Sequence, residues 1–122
     1  YCQVNLALNA ETNGFTEIPS PAQLQLNPQS AYVHYTPNET INGLEFHWVP
    51  DTDTIPLVAD MSSNILSRPI DVKRYGVIYA GAQKNMGPSG ITVAIIREDL
   101  IGNAINSTPT LYNYKTYSEN NS

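Results

Sequence analysis

An α/β fold is the class this chain predicts, and three observations carry it. Two apolar runs, Pro56-Leu57-Val58-Ala59 and Val77-Ile78-Tyr79-Ala80, show no polar alternation, as expected of strands covered on both faces. Each empties into a polar or glycine-containing stretch, Asp60-Met61-Ser62-Ser63 and Gly81-Ala82-Gln83-Lys84, and open α/β sheets place their ligand chemistry at strand ends. The third observation is Ile91-Thr92-Val93-Ala94-Ile95-Ile96, the strongest strand signal in the chain. It is β-branched at all but one position.

Residues 1 to 30 are rich in Asn, Thr, Pro and Gln, with Phe15 and Ile18 as isolated apolar positions. They read as loop, with a short helix expected around Ser20 to Leu24, where Ser20 caps and Pro21 takes the first helical position. Ala31-Tyr32-Val33-His34-Tyr35 is β-branched and aromatic, is closed by Thr36-Pro37-Asn38, and reads as a strand. Leu44-Glu45-Phe46-His47-Trp48 alternates apolar with polar, which predicts a short half-buried strand. After the strands at 56–60, 77–80 and 91–96, Arg97-Glu98-Asp99-Leu100-Ile101-Gly102 reads as a short helix stopped by its glycine. From Asn103 the chain is polar and tyrosine-rich without a period. Core strands with few long helices make a strange inventory for a complete α/β domain, and suggest the middle of one.

Length and charge narrow the function classes. The 122 residues fit one domain with a modest core, and 41% apolar content excludes wholesale disorder. The formal charge is −5, and six basic residues are spread thinly. No basic cluster tracks a phosphate backbone or an anionic membrane. No apolar run approaches the roughly 20 residues that cross a bilayer, and the N-terminal residues lack the pattern of a signal peptide. The single cysteine, Cys2, forms no internal disulfide and reads as inert. It agrees with a reducing, cytoplasmic setting. Asn-x-Ser/Thr sequons start at Asn38, Asn106 and Asn120, and in that setting they are chance matches.

Lys84 is one of only three lysines and stands just beyond an apolar run. Lysine amines form Schiff bases with carbonyl compounds and with pyridoxal phosphate. Asp60 ends the preceding apolar run, where an unpaired carboxylate is costly. It either caps the next turn, through Met61-Ser62-Ser63, or serves as counter-charge for a protonated ring nitrogen. Thr40 and Gln83 are polar donors near strand ends, and residues of this kind are more often ordinary loop hydrogen-bonders than cofactor ligands. Gly87-Pro88-Ser89-Gly90 lacks the lysine-serine ending of a P-loop and reads as a turn. His34 and His47 have no second ligand at a metal-like spacing, so no metal site is assigned. Ser62 and Ser63 lie outside any Gly-x-Ser-x-Gly elbow.

The residues Ala59-Asp60-Met61-Ser62-Ser63-Asn64-Ile65-Leu66-Ser67-Arg68-Pro69-Ile70-Asp71-Val72 and Tyr79-Ala80-Gly81-Ala82-Gln83-Lys84-Asn85 go further. With His34 to Gly43 and Gly87 to Leu100, they resemble the phosphoserine aminotransferase family. That family belongs to the class V aminotransferases among the fold-type-I pyridoxal-phosphate enzymes. The resemblance runs from about residue 31 to 102 and is looser on either side.

The resemblance implies that Lys84 is the Schiff-base lysine and Gln83 a donor to the cofactor phosphate. Asp60 would partner the pyridine nitrogen, and Thr40 would serve the ring's 3-hydroxyl oxygen. It also implies that residues 1–122 are a central portion of the cofactor-binding large domain. The sheet would be mainly parallel, with strands near 31–36, 57–61 and 76–81 side by side. Strand 91–96 would be antiparallel, since the nine-residue link Ala82 to Gly90 is too short for a parallel crossover. The implied activity passes an amino group between glutamate and 3-phosphohydroxypyruvate, in a cytoplasmic homodimer acting on small molecules. The cofactor-stacking tryptophan, the substrate-binding arginine and histidine residues and the C-terminal small domain would lie outside this chain. Two other readings stand beside this one: a catalytically inert or self-associating piece, and another class V enzyme such as a lyase.

Overall fold

The computed structural model describes residues 2–120. Four strands form one sheet in the order β1-β2-β3-β4: β1 Val33–Tyr35, β2 Leu57–Asp60, β3 Val77–Gly81 and β4 Thr92–Ile96. β1 pairs with β2 and β2 with β3 in parallel, and β4 runs antiparallel to β3. This is the expected order and direction. The two parallel steps take long connections over one side, and the β3–β4 link is the tight reversal its length demands.

Register decides which residues share a face. Ala59, Ile78 and Ile95 are partners across the sheet, as are Asp60, Tyr79 and Ala94. Alternation along each strand puts Tyr35, Leu57, Ala59, Ile78 and Ala80 on one face. His34, Val58, Asp60, Val77 and Tyr79 lie on the other. The first face holds the core, in which Leu57, Ala59, Ile78 and Ala80 pack with Met61, Ile65 and Tyr75. Leu57 and Ile78 are its largest fully buried side chains. Gly76 lies where β3 begins, and a Cβ there would stand 2.9 Å from both Leu100 Cδ1 and Pro56 Cβ. Only a glycine lets these three segments close up.

The second face is half-buried, so β2 and β3 are covered on one side rather than on both. β4 departs further from its sequence signal. Its residues are exposed except for Ile96, with Val93 at 36% and Ile95 at 41%. It pairs on one edge only, and no helix of the described residues packs on it.

Leu44 to Trp48 is not a strand. The segment makes one isolated bridge, Asn38 to Glu45, and its aromatics turn to each other instead. Phe46 meets Tyr35 edge-on at 5.6 Å and Trp48 at 5.0 Å. The Ser20–Leu24 expectation holds in a tighter form. Pro21–Gln23 is a 3₁₀ turn, and the Gln23 side chain accepts from the Ser20 N–H at 2.9 Å. The helix expected after β4 is also a 3₁₀ turn, Glu98–Leu100, and it ends at Ile101, before Gly102. In the tail, where no period is visible, a six-residue helix α1, Tyr114–Glu119, starts under the Asn113 side chain. The third sequon extends past residue 120, outside the described residues. No helix among the described residues is long and apolar enough to cross a membrane.

Candidate active site

The carboxyl ends of β1, β2 and β3 point the same way because the strands are parallel. The turn after β1 carries Thr40, the last residue of β2 is Asp60, and the loop after β3 carries Gln83 and Lys84. Three segments distant in sequence thus deliver their polar residues to one rim.

Lys84 Nζ donates to Thr40 Oγ1 at 2.7 Å, across 44 residues of sequence. The turn that presents Thr40 is built by Glu39, whose carboxylate accepts from the Ile41 N–H at 2.9 Å and the Asn42 N–H at 2.6 Å. Those two N–H groups hold the Glu39 carboxyl below its ordinary range, and the Lys84 charge adds to them. Glu39 was not among the sequence candidates, and its turn contacts appear only in the structure.

Asp60 is held from several sides. Its Oδ1 accepts from the Ser62 N–H at 3.0 Å and the Ser62 hydroxyl at 2.6 Å. Tyr79 is its register partner on β3, and the Tyr79 hydroxyl meets His34 Nε2 at 3.0 Å. Partial burial pushes the Asp60 carboxyl up. The Ser62 hydroxyl and N–H, then Tyr79 and His34, outweigh it and leave the carboxyl below its ordinary value. Asp60 is therefore ionised at neutral pH. Burial first, and then the Asp60 charge, push the Tyr79 phenol up. The capping reading of Asp60 is thus correct as geometry, and it leaves the carboxylate charged at the rim.

Gln83 is exposed and folds back along its own loop. Its Oε1 would be 2.5 Å from a Cβ added at Gly81. Lys84 and Thr40 are exposed as well, while Asp60 is half-buried. Asp60 and Lys84 share no hydrogen bond among the described residues. A cleft of about 260 Å³ opens elsewhere, among Tyr35, Phe46, Trp48, Met61, Arg68 and Arg74, and none of the four candidate residues lines it.

The sequence reading passed over Ser62, Tyr79 and His34 as actors. Ser62 carried a signal in its position two residues after a strand-end Asp. Tyr79 and His34 carried none, because their contact depends on register across two strand pairs.

Residues 3–122 match the family model for class-V aminotransferases. The chain belongs to the class V aminotransferase family. It is 58% identical over 122 residues to a phosphoserine aminotransferase of Hahella chejuensis and 56% identical to one of Pseudomonas aeruginosa. In both cases the match covers all of this chain and 34% of the relative, so the chain spans about a third of the length of these curated relatives. Its fold superposes on phosphoserine aminotransferase from Bacillus circulans subsp. alkalophilus with a TM-score of 0.92 at 48% identity. That match covers 96% of this chain and 32% of that one. The structure of the pyridoxal-phosphate-bound phosphoserine aminotransferase of Trichomonas vaginalis matches with a TM-score of 0.78 at 42% identity, over 87% of this chain and 30% of that one. The class V family chain described here shares with them a mixed sheet, parallel but for its last strand.

Proposed function

We propose that this chain carries the lysine-bearing part of the pyridoxal 5′-phosphate site of a phosphoserine aminotransferase, as a central portion of its large domain. The carrying observation is the 2.7 Å hydrogen bond between Lys84 Nζ and Thr40 Oγ1. On the cofactor, the aldehyde and the ring hydroxyl are attached to adjacent ring carbons. A lysine that captures the aldehyde and a threonine that serves the hydroxyl oxygen must therefore be neighbours. The donor set fits the group: an amine for the aldehyde, a hydroxyl for the ring oxygen, the Gln83 amide for the phosphate and an ionised Asp60 for a protonated ring nitrogen.

When bound, pyridoxal phosphate supplies an electrophilic carbon and a cationic ring that draws in the electron pair left by Cα–H cleavage. The remaining work falls to this chain. Asp60 keeps the proton on the ring nitrogen, and Thr40 fixes the ring's orientation beside Lys84. With its amine free, Lys84 Nζ would take the Cα proton as base and deliver it as acid to the cofactor's aldehyde carbon. The substrates are glutamate and 3-phosphohydroxypyruvate, giving 2-oxoglutarate and phosphoserine, and the working unit is a cytoplasmic homodimer. The relatives' names and the 58% identity support this substrate assignment.

A second reading concerns the chain by itself. Thr40, Gln83 and Lys84 are all exposed, and β4 presents Val93 and Ile95 to solvent. The isolated 122 residues would then bind cofactor weakly and self-associate through that apolar strand.

The test is to incubate the protein with pyridoxal phosphate, reduce with borohydride and map the adduct by mass spectrometry. A visible absorption band that is lost on reduction, with the mass fixed on Lys84, is the expected result. In the full-length protein, Lys84→Ala removes both the adduct and transamination. An adduct on Lys73 or Lys115 instead would overturn the assignment.

A further inference from the structure

Ser62 makes more bonds at the rim than capping requires. Its hydroxyl donates to Asp60 Oδ1 at 2.6 Å and accepts from the Gly81 N–H at 3.0 Å, while its own N–H donates to the same carboxylate oxygen. The β2–β3 ladder shows why the second contact matters. Met61 N–H to Tyr79 O, at 2.9 Å, is a backbone bond joining the two segments at this end. One step on, Ala82 N–H already bonds across to Ile91. Between them the Gly81 N–H turns to the Ser62 hydroxyl. Gly81 is the residue from which the loop to Gln83 and Lys84 departs.

We propose that Ser62 is a positioning residue that fastens the Asp60 carboxylate to the start of the Lys84 loop, setting the spacing between ring-nitrogen partner and Schiff-base lysine. The inference rests on the roles assigned above to Asp60 and Lys84. A single hydroxyl, used once as donor and once as acceptor, joins the two ends of the cofactor cradle through a short path. A bond from a hydroxyl to a charged carboxylate is among the stronger ones a side chain makes. Its loss also leaves the Gly81 N–H unpaired at a half-buried position. In Ser62→Ala the backbone N–H of residue 62 still reaches Asp60. The carboxylate then stays charged, while its link to the lysine loop is cut.

The experiment compares Ser62→Ala, Ser62→Thr, Asp60→Asn and the Ser62→Ala/Asp60→Asn double variant in the full-length protein. The readouts are the dissociation constant for pyridoxal phosphate and the pH at which the visible band of the lysine-bound cofactor interconverts. Ser62→Ala is expected to weaken cofactor binding about tenfold, the scale of a charge-assisted hydrogen bond, and to move the spectral midpoint. Ser62→Thr, which keeps the hydroxyl, restores both. In the double variant, Ser62→Ala adds little to Asp60→Asn, because the two act through one contact. Wild-type affinity and spectral midpoint in Ser62→Ala, alongside a damaged Asp60→Asn, would overturn the proposal and leave the Asp60 assignment standing. An Asp60→Asn variant that behaves as wild type would instead remove the reading on which the proposal rests. Should Ser62→Ala fail to fold, Ser62→Cys takes its place, since the thiol keeps similar volume with a weaker donor. The same loss of affinity is then expected, and its absence counts against Ser62.

Discussion

The middle of the chain and its two flanks are held together differently. Between residues 34 and 85, side-chain hydrogen bonds join partners far apart in sequence. Examples are His34 with Tyr79, Tyr35 with Tyr75, Ser63 with the Asn38 carbonyl, and Lys84 with Thr40. In the first thirty residues and after Asp99 the side-chain bonds are local, such as Phe15 N–H to Asn13, Asn103 to the Asp99 carbonyl and Tyr117 to the Leu111 carbonyl. Local bonds shape turns without anchoring them to a core. Large side chains such as Leu6, Ile105 and Leu111 remain more than 70% exposed there. The difference teaches that the candidate site lies in the part of the chain whose geometry is set by tertiary contacts, where rigid spacing is available to chemistry.

That contrast can be broken by mutation. Ile78→Ala removes a fully buried side chain and is expected to cost about 2–5 kcal/mol. Ile105→Ala, at 74% exposure, should stay within about 0.5 kcal/mol of wild type. Urea unfolding of the full-length protein measures both. Similar costs at the two positions would erase the distinction drawn between middle and flank. Gly76→Ala comes next, because its Cβ would stand 2.9 Å from Pro56 and Leu100. Overpacking of this kind costs about 1–3 kcal/mol, and a variant as stable as wild type would show that the contact yields freely.

The smallest effect is in pH. The Asp60 carboxyl lies below its ordinary value of 3.8, so in the folded state it gives up its proton more readily than in the unfolded chain. Its contribution to stability is complete above that ordinary value and is lost as pH falls through the lower folded one. The stability of the cofactor-free protein should therefore fall slightly less steeply with acid in Asp60→Asn, the gap to wild type being present at neutral pH and closing as pH falls through the folded value. An equal difference at neutral and acid pH would show that the asparagine acts through packing instead.

Legibility followed the same division. The runs at 57–60 and 77–81 were readable because burial imposes apolar residues on a strand whatever its neighbours are. The run at 92–96 was readable as strand for its β-branched content, but not as an edge. Leu44 to Trp48 misled because alternation is necessary for a half-buried strand and not sufficient. Phe46 packs on Tyr35 and Trp48, while the backbone makes a single bridge. Helix α1 was invisible because a six-residue segment of Tyr, Lys, Thr, Ser and Glu has no apolar period, and its start rests on the Asn113 cap. Among site residues, Asp60 and Lys84 stood out as charges at the ends of apolar runs. Thr40 and Gln83 were distinguished only by the resemblance.

By itself, then, the sequence determined where the strands lie, that polar groups end them, and which family the chain belongs to, because each is written in local composition or in residue-by-residue likeness. Only the tertiary structure decided that Lys84 meets Thr40, that Tyr79 stands between Asp60 and His34, and that Ser62 reaches Gly81. These pairings depend on parallel register, which is a property of neighbouring strands and of no single segment. The same holds for β4: its β-branched residues mark a strand, and only the antiparallel register with β3 gives its place among the described residues.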